Sequence, residues 1–187
     1  MYKIAVLFGK SGAGKDTALR AICDKNKNFN KIITCTTRPK RDYEVDGIDY
    51  HFLTIPQFSE KVLNGDMIEA TVFNESWFYG TDINTLVEDK INIGVFNLGS
   101  IECLLDNPDL EISLIYITAS DKTRLIRNLN RENNPNCHEI CRRFLADEKD
   151  FEKLVEFPAM YEFDTEKEED YTGLIKLIEN LWFWKNM

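Results

Sequence analysis

The chain begins with a stretch whose residue types can grip phosphate, KIAVLFGKSGAGKDT. Gly9, Gly14 and Lys15 satisfy the spacing G-x-x-x-x-G-K. Glycines at such positions let successive backbone N–H groups turn inward on one anion, and the helix that follows aims its positive end at the same place. Lys15 then reaches the β- and γ-phosphates of a nucleoside triphosphate. The residues expected to line that site are Gly9, Lys10, Ser11, Gly12, Ala13, Gly14, Lys15, Asp16 and Thr17. The spacing asks for Ser or Thr after the lysine, where this chain has Asp16. Thr17 offers a hydroxyl one step along, near the α-phosphate.

A second cluster lies in TCTTRPKRDYEVDGIDYHF, residues 34–52. Thr34, Arg38, Arg41 and Tyr50 bring two guanidinium forks and two hydroxyls together, which is what a phosphate monoester dianion takes. Against a net charge of -9 the patch Arg38, Lys40, Arg41 stands out.

These two stretches, with NGDMIEATVF around Glu69 and the later YGT at 79–81, resemble the guanylate kinase family over roughly residues 3–82. The resemblance implies a P-loop kinase fold: an α/β parallel sheet flanked by helices, an α+β nucleotide-monophosphate-binding insertion and a helical lid. It implies transfer of the γ-phosphate of ATP to GMP or dGMP, with Mg²⁺. Arg38, Arg41, Tyr50 and Tyr79 would hold the acceptor phosphate, with Thr34 where the family commonly has serine. Glu69 and Thr81 would meet the base. The chemistry agrees: guanine presents two adjacent donors, N1–H and the 2-amino group, and one carboxylate can accept both. A polar site of this kind rejects a base that leaves its buried group unpaired.

Phosphoryl transfer asks for positioning and charge stabilisation rather than a covalent nucleophile. The catalytic residues implied are Lys15, Arg38 and the lid arginines Arg127, Arg131 and Arg143, with Arg142 a neighbouring alternative to Arg143. The family's Asp-x-Asp after the base-binding segment is absent; Asn97 and Gly99 stand there, and Ser100 could partly substitute. Asp16 has two readings. It is an acid favourable at a helix N-terminus, or a carboxylate moved from strand to loop that holds Mg²⁺ directly or through water. Two other functions fit the same fold: a kinase for another acceptor (another deoxynucleotide or ribose 1,5-bisphosphate), and a non-catalytic binding module.

The elements that must position these residues follow from periodicity. Ile4 to Phe8, Ile32 to Cys35, 91–98 and 112–118 read as strands. Helices are expected over Thr17 to Cys23, Ile101 to Leu105 and the C-terminal YTGLIKLIENLWF. Apolar runs alternating with helical patterns imply a parallel sheet. Residues 36–90 read as the insertion, with a short helix opened by Pro56, and strict alternation would put Met67, Glu69 and Thr71 on one side. Residues 120–156 read as a helical hairpin lid. The core is then about 1–35, 91–119 and 157–187, in one kinase domain of 187 residues.

A 43% hydrophobic content supports a packed core. The acidic balance excludes a broad nucleic-acid or anionic-membrane surface, and no apolar run approaches the ~18 residues of a membrane span. Five cysteines and no cleavable leader point to free thiols in a cytoplasmic protein, a monomer or homodimer acting on small nucleotides. Cys137, His138 and Cys141 have the wrong spacing for a metal site and read as one side of a helix.

Overall fold

A computed structural model describes residues 1–42, 44–73, 76–131, 133–158, 160–167 and 170–183. In chain order its elements are β1 (Tyr2–Phe8), α1 (Lys15–Lys25), β2 (Phe29–Lys31), β3 (Cys35–Thr36), β4 (His51–Phe52), α2 (Ile55–Leu63), β5 (Met67–Phe73), β6 (Trp77–Asp82), β7 (Ile91–Val95), α3 (Leu98–Leu105), β8 (Leu110–Thr118), α4 (Asp121–Leu129), α5 (Cys137–Asp150), β9 (Tyr161–Asp164) and α6 (Thr172–Phe183). Short 3-10 helices occupy Ile83–Thr85 and Phe151–Glu156. The fold is α/β, with a parallel sheet flanked by helices. Two compact units divide the chain: Met1–Ala5 with Lys27–Ile112, and Val6–Asn26 with Ser113–Met187.

In the first unit β2 runs parallel to β7, with Phe29 opposite Ile91 and Lys31 opposite Ile93. This part of the parallel sheet reads β2-β7-β1-β8. A second, mixed sheet follows the order β4-β3-β6-β5. Ile4, Ile93, Ile101 and Leu104 are wholly buried, and burial of each such side chain stabilises the fold by about 1.5–3 kcal/mol. α2 starts with a capping box between Thr54 and Gln57, and Pro56 occupies its first turn. Its Phe58 packs against Phe78 of β6 at 5.6 Å.

In the second unit the sheet reads β1-β8-β9, with β8 parallel to β9 from Ile115–Tyr161 to Thr118–Asp164. α1 buries Ala18, Leu19 and Ile22, and α6 buries Leu174, Ile178 and Trp182. Both stripes follow the 3.6-residue helical period.

Three details differ from expectation. The strand expected at Ile32 to Cys35 falls instead between two short strands of different sheets: β2 ends at Lys31, residues 32–34 belong to no strand, and β3 begins at Cys35 beside β6. A short apolar run carries no mark of where one sheet is left and the next begins. The strand expected over 91–98 ends at Val95, because the Asn97 side chain accepts a hydrogen bond from Ser100 N and starts α3. Between β5 and β6 the register shifts between Met67 and Glu69. The alternation therefore holds only from Glu69 onward, with Glu69 and Thr71 sharing a face.

Candidate functional site

The glycine loop belongs to the second unit and joins β1 to α1. Gly9 has φ +155°, and a Cβ there would stand 2.2 Å from the Ile117 carbonyl oxygen. Gly12 has φ +80°, and a Cβ would meet the Arg124 carbonyl at 2.5 Å. Both positions need the freedom and the small size of glycine. Lys15 Nζ donates to the carbonyls of Gly9 (2.7 Å) and Lys10 (3.1 Å), curling over the loop. Burial lowers its pKa, while Asp16 and Asp147 pull the other way. Asp16 and Thr17 are exposed in the first turn of α1.

The loop is held from below by residues of α4 and α5. Arg124, 2% exposed, donates through Nε to Ser11 O (3.2 Å) and through Nη1 to Asp121 (2.8 Å) and Glu148 (2.9 Å). Its guanidinium lies 4.6 Å from the Phe144 ring centre. Arg127 Nη1 donates to the carbonyls of Gly12 (3.3 Å) and Ala13 (3.2 Å) and to Thr165 Oγ1 (2.9 Å). Two carboxylates of α5 also reach the loop. Asp147 Oδ2 accepts from Ser11 N at 2.6 Å, and Glu148 Oε2 pairs with Lys10 Nζ at 2.6 Å. The Asp147 carboxylate thus sits on a backbone donor of the phosphate-binding loop, and burial raises its pKa. Arg131 is near enough to lower the Lys15 pKa. Arg142 and Arg143 share Glu139, with Nε–O distances of 2.7 and 2.6 Å, and this holds the Glu139 pKa at about 2.

The acceptor cluster belongs to the first unit. Arg38 is 6% exposed, and its fork is taken by Glu44: Nη1 to Oε2 at 3.0 Å and Nη2 to Oε1 at 2.7 Å. Its Nε donates to Tyr79 OH at 3.3 Å, and it stands 5.4 Å from the Tyr50 ring centre. Burial alone would lower the Arg38 pKa; the hydrogen bonds to Glu44 and Tyr79 more than reverse this. Glu44 moves down for the same reason, with burial opposing. Arg41 donates its backbone N–H to Glu44 Oε2 at 2.8 Å, and its guanidinium is partly exposed. The Thr34 carbonyl accepts from His51 N at 2.9 Å, which ties the Thr34 segment to β4.

Beside it, Thr81 and Glu69 stand opposite each other on β6 and β5. Both are buried, and Thr81 Oγ1 donates to Glu69 Oε1 at 2.8 Å. Glu69 Oε2 is buried with no hydrogen-bond partner among the described residues. Burial raises the Glu69 pKa, and the Ser100 and Thr81 hydroxyls oppose that rise. A buried carboxylate oxygen with no partner costs about 1–3 kcal/mol, more when charged. Such a group marks a place for an incoming donor.

Thr34, Arg38, Arg41, Tyr50, Glu69, Tyr79 and Thr81 thus lie together in the first unit, and the loop residues 9–17 with the helical arginines lie in the second. Two of these arginines have protein partners that the sequence does not reveal. Arg38 presents most of its donors to protein groups, and Arg127 faces the loop carbonyls. Sequence reasoning missed Glu44, Asp147 and Thr165, because acids and hydroxyls in charged or polar runs carry no periodic mark. Of the three, Glu44 left a trace: an acid that follows closely on Arg38 and Arg41.

A glycine loop between a parallel strand and a helix, with a lysine at the helix start, defines the P-loop class of nucleotide-binding proteins. The comparisons with known proteins narrow this. The sequence model of the family described as Guanylate kinase matches residues 1–181. A guanylate kinase from Fusobacterium nucleatum is 30% identical over 182 residues, covering 94% of this chain and 95% of the relative. One from Frankia casuarinae is 29% identical over 162 residues, covering 81% and 87%. The crystal structure of guanylate kinase from Anaplasma phagocytophilum superposes with a TM-score of 0.66 at 19% identity, covering 100% of this chain and 89% of that one, which shows the shared fold. The chain belongs to the guanylate kinase family, ATP-dependent kinases whose reaction is the phosphorylation of GMP.

Proposed function

We propose that this chain transfers the γ-phosphate of ATP to GMP or dGMP, giving ADP and GDP or dGDP. The observation that carries the reading is the unpartnered Glu69 Oε2 beside the Thr81-bonded Oε1. A guanine edge supplies two adjacent N–H donors to such a carboxylate. A sugar phosphate has no such pair of N–H donors, only hydroxyls.

In this reaction an oxygen of the acceptor phosphate attacks the γ-phosphorus, and the bond to the β–γ bridging oxygen breaks, releasing ADP. The loop N–H groups and Lys15 bind the β- and γ-phosphates. Arg41, Tyr50, Tyr79 and Thr34 hold the acceptor phosphate. Arg38 has five N–H donors, of which the contacts to Glu44, Pro39 O and Tyr79 use four, so it adds one donor and fixes Tyr79. Arg131 and Arg143 stabilise charge on the transferred group, and Arg127 steadies the loop that grips it. The Asp16 carboxylate and Thr17 hydroxyl, exposed at the start of α1, are hard oxygen donors that suit Mg²⁺, directly or through water. Bound there, the ion would neutralise charge on the β- and γ-phosphates. No group of three or more acidic, His or Cys side chains converges among the described residues, which fits an ion that keeps several waters.

The test is an ADP-release assay across GMP, dGMP, AMP, CMP, UMP, dTMP and ribose 1,5-bisphosphate. Turnover confined to guanine nucleotides is expected; no turnover with either of them overturns the reading. The free cysteines fit a cytoplasmic enzyme, and no described helix is long and apolar enough to cross a membrane.

A further inference from the structure

Resting on the reading that the glycine loop holds the donor's phosphates, we propose that α5 supplies this loop with an anion of its own: Asp147 occupies the Ser11 N–H until a donor displaces it onto Arg124. Asp147 Oδ2 accepts from Ser11 N at 2.6 Å, the length of a strong charge-assisted bond. A phosphate oxygen bound by a glycine loop makes the same kind of bond, an anion on a backbone N–H. The next residue of α5 completes the imitation. Glu148 Oε2 pairs with Lys10 Nζ at 2.6 Å. Consecutive carboxylates of α5 thus take a side-chain cation and a backbone donor from consecutive residues of the loop. Lys15 meanwhile directs its ammonium at the Gly9 and Lys10 carbonyls. All of these residues lie in the second unit.

Arg124 is placed to receive the displaced carboxylate. Its Nε is held by Ser11 O, and its Nη1 by Asp121 and Glu148. Its Nη2 is buried and makes no hydrogen bond among the described residues. The Asp147 oxygen that accepts from Ser11 N also stands 3.5 Å from this Nη2, an ion pair longer than an ordinary hydrogen bond. A shift of about 0.7 Å would close it to the ~2.8 Å of a charge-assisted bond. Asp147 therefore stands between two donors and serves one of them. A phosphate that takes Ser11 N leaves Asp147 the other, and a buried N–H gains the partner it lacks. The Asp147 side chain is partly exposed, which leaves it room to turn.

A support of the loop and an occupant of the loop have opposite signatures. If Asp147 only shaped the loop, its loss would weaken phosphate binding. If it occupies the loop, its loss strengthens binding, because every ligand that needs Ser11 N must first displace it. An occupant in place about nine-tenths of the time weakens apparent binding about tenfold. That factor falls equally on ATP and on a bare phosphate chain, since the change lies in the protein.

The test titrates inorganic pyrophosphate and, separately, ATP with Mg²⁺ into the acceptor-free protein by calorimetry, for wild type, D147N and D147A. D147A should bind each ligand about tenfold more tightly than wild type. D147N, whose amide oxygen still accepts from Ser11 N without a charge, should fall between the two. Unchanged or weaker binding of either ligand in both variants overturns the proposal. A crystal structure with ATP bound reads the exchange itself. Asp147 should then lie on Arg124 Nη2; Asp147 anywhere else, on Ser11 N or turned to solvent, overturns the exchange. If neither ligand binds the wild type or either variant, the donor reading of the loop falls, and the proposal falls with it.

Discussion

Two buried glutamates of the first unit respond to pH with opposite signs. The folded state raises the Glu69 pKa, chiefly through burial, so it binds that proton more tightly than the unfolded chain does. The stability gained is full below the unfolded carboxylate value and is lost as pH rises through the folded one. E69Q should therefore raise stability at neutral pH by about 1–3 kcal/mol, with the gain vanishing in acid. Denaturant melts at two pH values check this, and the same variant should lose its preference for GMP over other monophosphates. Glu44 goes the other way. Its bond to Arg38 depresses its pKa despite burial. Its contribution is present above the unfolded value and is lost as pH falls through the folded one. E44A strands a buried guanidinium, which should cost about 3 kcal/mol at neutral pH. The acceptor KM should rise too, since Tyr79 loses its fixed partner.

At the scale of elements, α5 does more than carry arginines. Asp147 places an anion on a backbone donor of the loop that is built for phosphate. ATP and Asp147 therefore compete for Ser11 N, and D147A should lower the KM for ATP several-fold with little change in the KM for the acceptor. Steady-state kinetics with each substrate varied in turn separates the two effects. G9A should abolish turnover, because its Cβ would collide with the Ile117 carbonyl. Much of this layout was legible in the sequence. The loop spacing, the apolar run of β1 and the stripes of α1 and α6 each follow a period or a motif with one physical meaning. The partners of the arginines were not legible. Whether Arg38 faces a phosphate or Glu44, and whether Arg127 faces a substrate or Gly12 O, depends on folds of the chain that leave no local trace. The break between β2 and β3 over residues 32–34 escaped for the same reason, as did the end of β7 at Val95, before the capping Asn97.

Across the whole molecule, the residues assigned to each substrate fall in separate units. Each nucleotide alone should therefore protect its own unit. Amide hydrogen exchange with GMP should slow in 34–41, 67–82 and 97–100, and with ATP in 9–17 and 124–150. Protection of both sets by either nucleotide alone would refute that separation.

Neither unit is a continuous piece of chain. Met1–Ala5 belongs with Lys27–Ile112, and Val6–Asn26 belongs with Ser113–Met187. During synthesis the glycine loop and α1 emerge long before α4, α5 and the residue after β9, which hold the loop through Arg124, Arg127, Asp147 and Thr165. The first nucleotide-binding motif to be made is thus among the last to be completed. A nascent chain halted at Ile112 has every acceptor residue in hand, but a donor loop without the supports that come from Arg124, Arg127 and Thr165.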